Sequence, residues 1–231
     1  MRGLTTKEFN EIYKKNFREY FDKPLKKDGF YKKGTINFYR LNKLGMVESL
    51  NFQRWYDKLT VNCTIFLMYC GVVNDARIIK LRLGEFVNTR NDYWWDVKND
   101  ESMKESMREM IEIIQDKLYK WFEERDNEKK IIEDIWKIHQ MLVYKYITQA
   151  ATMAKFKRYD EILPYVEKVK KEHVEGWSEE ERQKKEWLKK VLDEALLLER
   201  KLKEGKENID QYIIEREKQS LIELGLEKLI K

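Results

Sequence analysis

Residues 59–69, Leu-Thr-Val-Asn-Cys-Thr-Ile-Phe-Leu-Met-Tyr (LTVNCTIFLMY), decide how the first part of this chain is read. In an extended segment Leu59, Val61, Cys63, Ile65 and Leu67 fall on one face, and Thr60, Asn62 and Thr64 on the other. Alternation kept up over that length predicts a half-buried strand. Upstream, MVESLNFQRWY (46–56) and FYKKGTINFYRL (30–41) have strand character, and the turn-like stretches YDK and LNKLG separate them. The three segments read as strands of an antiparallel meander. One face is apolar, and the other aims Thr35, Asn37, Asn51, Gln53, Thr60, Asn62 and Thr64 together.

The flanks supply the partner for the apolar face. Thr5-Thr-Lys-Glu8 has the capping-box pattern, and Phe9, Ile12, Tyr13, Phe17, Tyr20 and Phe21 recur at helical spacing, which predicts a helix to about Lys27. After the third strand GVVND breaks the pattern. Ala76–Leu83 reads as a short strand or a turn of helix, and Trp94–Val97 as an edge strand after the NTRND loop. Beyond Asp100 the chain turns helical, with Met103, Met107, Met110, Ile111, Ile114, Leu118 and Phe122 on one face of a long helix. A second long helix is expected from about Glu128 to Phe156, and a third holds Pro164 near its start. Ser178–Glu181 caps a fourth that stops at Gly205, and Asn208 caps a fifth that ends near Gly225. The fold class is therefore α+β: an N-terminal helix on an antiparallel β-meander, a long crossing helix, then an all-helical extension. The domain boundary is expected between 1–125 and 126–231. Within the extension, AATMAKFKRYDEILPYVEKV (150–169) resembles a tetratricopeptide-type helix–turn–helix, but no second copy at a matching period makes it an array.

Composition narrows the function classes. The chain has 231 residues, enough to bury a real core. Cys63 and Cys70 are its only cysteines and form no CxxC, and no apolar leader opens the N-terminus, so a reduced, cytoplasmic setting is expected. The longest apolar run, Ile65–Cys70, is far too short to span a membrane. Net charge is +5, unevenly placed: residues 1–60 hold 14 Lys/Arg against 7 Asp/Glu, so +7, and residues 61–231 hold 33 against 35, so −2. A basic N-terminal quarter allows nucleic-acid binding through Lys26, Lys27, Lys32, Lys33, Arg40 and Arg54, but no aromatic–basic platform accompanies it, and helix-end cations explain its densest part.

Catalytic and cofactor patterns are lacking. His139 and His173 are the only histidines, and neither has a second ligand at metal spacing. No glycine pattern suits a nucleotide cofactor. The expectation is no metal, no cofactor and no catalytic residue. The polar sheet face is the better candidate, since a row of amides offers donor–acceptor forks that a merely solvated face does not require. Asn51, Gln53, Asn62, Arg82, Glu85 and Trp95 are its candidate ligand-binding residues. The last three come from RLGEFVNTRNDYWWDV (82–97), where Gly84 allows a turn, Arg82 and Glu85 can pair across it, and Trp94 and Trp95 must point to opposite sides of a strand.

GFYKKGTINFYR, VESLNFQRWY, LTVNCTIFL and RLGEFVNTRNDYWWDV, in this order, resemble the bacterial domain-of-unknown-function family 4304 (DUF4304) over about residues 5–125. The sequence departs from the family pattern at GEF, where an apolar residue more often closes the segment. The resemblance implies a small bacterial cytosolic α+β domain without assigned activity or catalytic residues. Three readings follow: a non-enzymatic module that binds a protein or small ligand through the polar face and the 82–95 loop; a nucleic-acid binder; and an enzyme using Arg82 and Glu85 beside Trp95.

Overall fold

The computed structural model describes residues 5–71, 78–88, 93–137 and 141–230. The chain divides into two compact units, one made of Met1–Phe66 with Lys80–Asp126 and the other of Leu67–Ile79 with Asn127–Lys231.

The first unit opens with α1 (Thr6–Phe17), a π-helical turn (Arg18–Asp22) and α2 (Lys23–Lys27). Its start is the reciprocal box foreseen in the sequence: the Glu8 N–H donates to Thr5 Oγ1 at 3.3 Å and the Thr5 N–H to the Glu8 carboxylate at 2.8 Å. The strands follow as β1 (Tyr31–Lys33), β2 (Asn37–Leu41), β3 (Val47–Trp55), β4 (Lys58–Phe66), β5 (Ile78–Arg82) and β6 (Trp95–Asp96). They lie in the order β1-β2-β3-β4-β5, with β1 to β4 antiparallel and β6 also paired with β4. The expected first strand is two, because Gly34 takes φ +67° and turns the chain back on itself.

Register puts Phe38, Leu50 and Cys63 opposite one another, and Phe52 opposite Val61. Phe21 meets Phe52 at 4.4 Å between ring centroids and Phe17 meets it at 5.0 Å, which places the helix on the apolar face. Next, α3 (Asp100–Ile113), a π-helical turn (Ile114–Leu118) and α4 (Tyr119–Glu124) form the long helix. Its Met103, Met107, Met110, Ile114, Leu118 and Phe122 are all buried. Burial of this many apolar side chains, at about 1.5–3 kcal/mol each, is the main force holding helices to sheet.

The polar face departs from expectation. Asn37, Asn51 and Asn62 are half-exposed, but Ser49, Thr60 and Thr64 on the same face are buried. Alternation correctly sorts side chains to faces, but it does not say what covers a face.

The second unit contains α5 (Glu128–Lys137), α6 (Leu142–Lys155), α7 (Ile162–Glu175), α8 (Glu179–Lys184), α9 (Glu186–Glu204) and α10 (Lys206–Glu223). Buried Ala150, Ala151 and Ala154 let α6 pack closely on α7. The expected helix over 128–156 is thus two, and the expected fourth helix is also two, broken at Lys185 where ψ is 91°. Asn208 does not cap α10: Gly205 stands at that position, and the Asn208 amide donates back to the Glu204 carbonyl at 2.9 Å. The short 3-10 turn Met68–Cys70 belongs to this unit, tied down by Ser220 Oγ on the Met68 carbonyl (2.8 Å) and Arg216 Nη2 on the Cys70 carbonyl (3.0 Å). Among the described residues no helix is long and apolar enough to cross a membrane.

Candidate functional site

The half-exposed face carries a continuous row of side chains across strands. Arg82 Nε donates to Asn62 Oδ1 at 3.2 Å, Asn62 Nδ2 to Asn51 Oδ1 at 3.3 Å, and Asn51 Nδ2 to Asn37 Oδ1 at 2.6 Å. The register makes this row, since Asn37 pairs with Asn51 and Asn51 with Asn62. Each amide has two donors and two acceptor lone pairs, so these bonds leave donor and acceptor capacity on every member. Beside the row, the Arg82 guanidinium lies over the Trp94 ring at 5.5 Å, and Trp94 meets Trp55 edge-on at 6.4 Å. Trp55 is 63% exposed, unusual for a tryptophan outside a contact surface.

The other two candidates from the 82–97 segment have structural tasks. Glu85 accepts the Arg82 backbone N–H at 2.7 Å, closing the 3-10 turn Leu83–Phe86. Trp95 pairs with Leu59 and is 2% exposed, which puts it in the core and removes it from the ligand-facing set. Gly84 is needed for contact: a Cβ there would stand 2.5 Å from the Tyr93 carbonyl oxygen. The NTRND loop lies partly outside the described residues. Trp95, which the enzyme reading joined to Arg82 and Glu85, is thus buried while Arg82 faces the amide row.

The basic residues of the nucleic-acid reading are dispersed in role. Arg40 is withdrawn from any phosphate: it pairs with Glu48 and sits over the rings of Phe30 (4.5 Å) and Tyr119 (4.7 Å). Burial pushes the Glu48 carboxyl up, and Arg40 partly offsets this. Lys32 holds Asp22 through both carboxylate oxygens, at 2.7 and 2.8 Å. Arg54 lies over Phe9 and Tyr13, and burial raises the Tyr13 hydroxyl to about 12. Lys26 and Lys27 are exposed on α2, and Lys33 is half-buried on β1.

A cavity of about 860 Å³ opens where α1 faces β3, lined by Tyr13, Lys14 and Arg18 on the helix side and by Phe52, Gln53 and Trp55 on the sheet side. Of the residues picked from sequence, the candidates Gln53, Lys32 and Arg54 line it, together with Thr35 from the polar face and Trp94. Lys14 and Arg18 were missed; their only signal was a pair of cations one helical turn apart, flanking the buried aromatic stripe. His173 is half-buried on α7, and burial depresses its imidazole, while His139 lies outside the described residues. Among the described residues no cluster of His, Cys, Asp or Glu could hold a metal ion.

The first unit is thus defined as an α+β domain in which helices cover one sheet face and an amide row marks the other. Residues 21–124 match the family described as "Domain of unknown function (DUF4304)", the family whose motifs the sequence resembles. No curated protein and no solved structure matches the chain.

Proposed function

We propose that the first unit is a non-enzymatic binding module of a bacterial cytosolic protein, engaging a protein, peptide or small ligand through the amide row and the neighbouring tryptophans. The observation that carries this reading is the row itself: Asn37, Asn51 and Asn62, held in register by their own hydrogen bonds and half-exposed. Polar groups already fixed in place lose little entropy on binding, which is where preorganised sites gain affinity. Trp55 and Trp94 add the flat, rigid contact area that dominates binding energy at interfaces. The helical extension offers a second interaction surface.

The test is site-directed photocrosslinking in the native host, with the reactive side chain placed at Gln53, next to the row. The expected result is one recurrent adduct that disappears when Asn51 and Asn62 are both changed to Ala. An adduct pattern indifferent to that double change would remove the reading. The nucleic-acid alternative draws on exposed Lys26 and Lys27, and predicts oligonucleotide affinity that falls steeply with salt. Finding no oligonucleotide binding even at low ionic strength would eliminate it.

A further inference from the structure

The cavity between α1 and β3 shares Gln53, Trp55 and Trp94 with the surroundings of the amide row but includes none of its asparagines, and its lining combines two chemistries. The floor is aromatic: Phe17 and Phe52 are 4% and 1% exposed, and Tyr13, Trp55 and Trp94 offer further rings. The charged lining is one-sided, with Lys14, Arg18, Lys32 and Arg54 against the single carboxylate of Asp22, four cations to one anion and so +3. Asp22 is already taken by Lys32, and Arg54 donates to Asn10 Oδ1 at 3.2 Å. The side chains of Lys14 and Arg18 make no hydrogen bond or ion pair among the described residues. A cleft lined by one sign of charge with low-dielectric walls concentrates its field on whatever enters. The volume of about 860 Å³ falls within the range of about 300–1,000 Å³ typical of small-molecule sites.

We infer that this cavity binds a small organic anion with a flat aromatic body, such as an aryl carboxylate, sulfonate or phosphate ester. The ring lies against the aromatic floor and the anionic group is met by Arg18 and Lys14. A neutral aromatic would leave the cations without a partner, and a bare inorganic anion would leave the apolar floor wet. The planar guanidinium of Arg18 suits a bidentate oxyanion better than an ammonium would.

The experiment uses the full-length chain and naphthalene-2-sulfonate, followed by calorimetry and by backbone amide shifts. Saturable binding is expected, with the largest shifts within residues 10–18 and 52–55. Arg18→Glu and Lys14→Glu, both at exposed positions and thus compatible with folding, are each expected to weaken it at least about tenfold, or ~1.4 kcal/mol. Sulfate and the neutral naphthalene-2-methanol are expected to bind at least about tenfold more weakly than the sulfonate, since each satisfies only half of the site. Asn51→Ala is expected to leave binding unchanged, so failure of the amide-row reading and failure of this one are distinguishable. The inference is overturned by absence of saturable binding, by shifts centred elsewhere, by either charge-reversed variant keeping the affinity of the parent protein, or by sulfate binding as tightly as the aryl sulfonate. Binding confined to oligonucleotides also overturns it.

Discussion

Arg40 on β2 and Glu48 on β3 stand directly opposite each other and form an ion pair that faces the core, under Phe30 and Tyr119. The Glu48 side chain is 3% exposed and that of Arg40 22%. The pair therefore interrupts the apolar face at the end where α4 crosses it, and Tyr119 from the same region donates its hydroxyl to Asp28 at 2.8 Å.

Breaking that pair from one side strands a buried charge. Arg40→Met is expected to destabilise the first unit by about 3–5 kcal/mol, whereas Arg40→Met with Glu48→Met is expected to cost much less, because no charge is then left unpaired. Urea denaturation of the single and double variants measures both. Equal losses in the two would show that the pair contributes packing only.

The same carboxyl makes stability depend on pH. Burial raises Glu48 in the folded chain, Arg40 pulls it partly back, and Asp126 and Glu123 push it up again. A carboxyl raised on folding is easier to ionise unfolded, so its contribution is fully favourable at acid pH. That contribution falls as pH rises from the ordinary glutamate range through the raised value. Glu48→Gln is expected to remove this decline, seen as the wild-type minus variant difference in unfolding free energy across that window. Glu8, Asp100 and Glu181, lowered by hydrogen bonds to Thr5, Lys104 and Lys185, slope the other way in both proteins and cancel in the difference.

Gly84 carries a prediction of a different kind. Its Cβ would press on the Tyr93 backbone, 2.5 Å from the carbonyl oxygen and 3.1 Å from the nitrogen, so a neighbouring side chain cannot relieve the clash by rotating. Gly84→Ala is expected to cost ~1–3 kcal/mol as an overpacking strain. It should also raise hydrogen exchange at Trp95 and Val97, whose strand segment follows Tyr93. A variant as stable as the parent would mean that the turn Leu83–Phe86 shifts freely.

Gly71 and Arg216 give the second unit an equivalent test. Gly71 has φ +77°, and a Cβ there would come 2.7 Å from the guanidinium that holds the Cys70 carbonyl. Gly71→Ala is expected to lose ~1–3 kcal/mol of stability, from the left-handed backbone together with displacement of Arg216. Measured in an Arg216→Ala background, the loss should shrink to the backbone part.

The sequence carried the elements that local physics dictates. The Thr5–Glu8 box, the aromatic spacing of α1 and the alternation of β4 each encode their element within a few residues, and the structure shows them as read. What it could not carry depends on residues far apart in the chain. Thr60 and Asn62 have the same place in the alternation, yet one is buried and the other half-exposed. Arg40 resembles any surface arginine until Glu48 and Tyr119 close around it. The π-helical turns at 18–22 and 114–118 leave no mark in the apolar pattern, and the cavity exists only once α1 lies against β3. The amide row was half legible: alternation gave its members, and only the register joined them.

That register also gives the row a direction. A guanidinium can only donate, so Arg82 fixes the Asn62 carbonyl toward β5. The Asn62 NH₂ then faces Asn51 and orients its carbonyl, and Asn51 does the same to Asn37. No member can flip unless its neighbours flip as well, and Arg82 forbids the concerted reversal. The row is thus a polarised wire whose far terminus, at Asn37 on the β1 side, presents an NH₂. A partner meeting that terminus has to bring an acceptor, and chains of aligned hydrogen bonds strengthen one another, so the end donor is a better donor than an isolated asparagine.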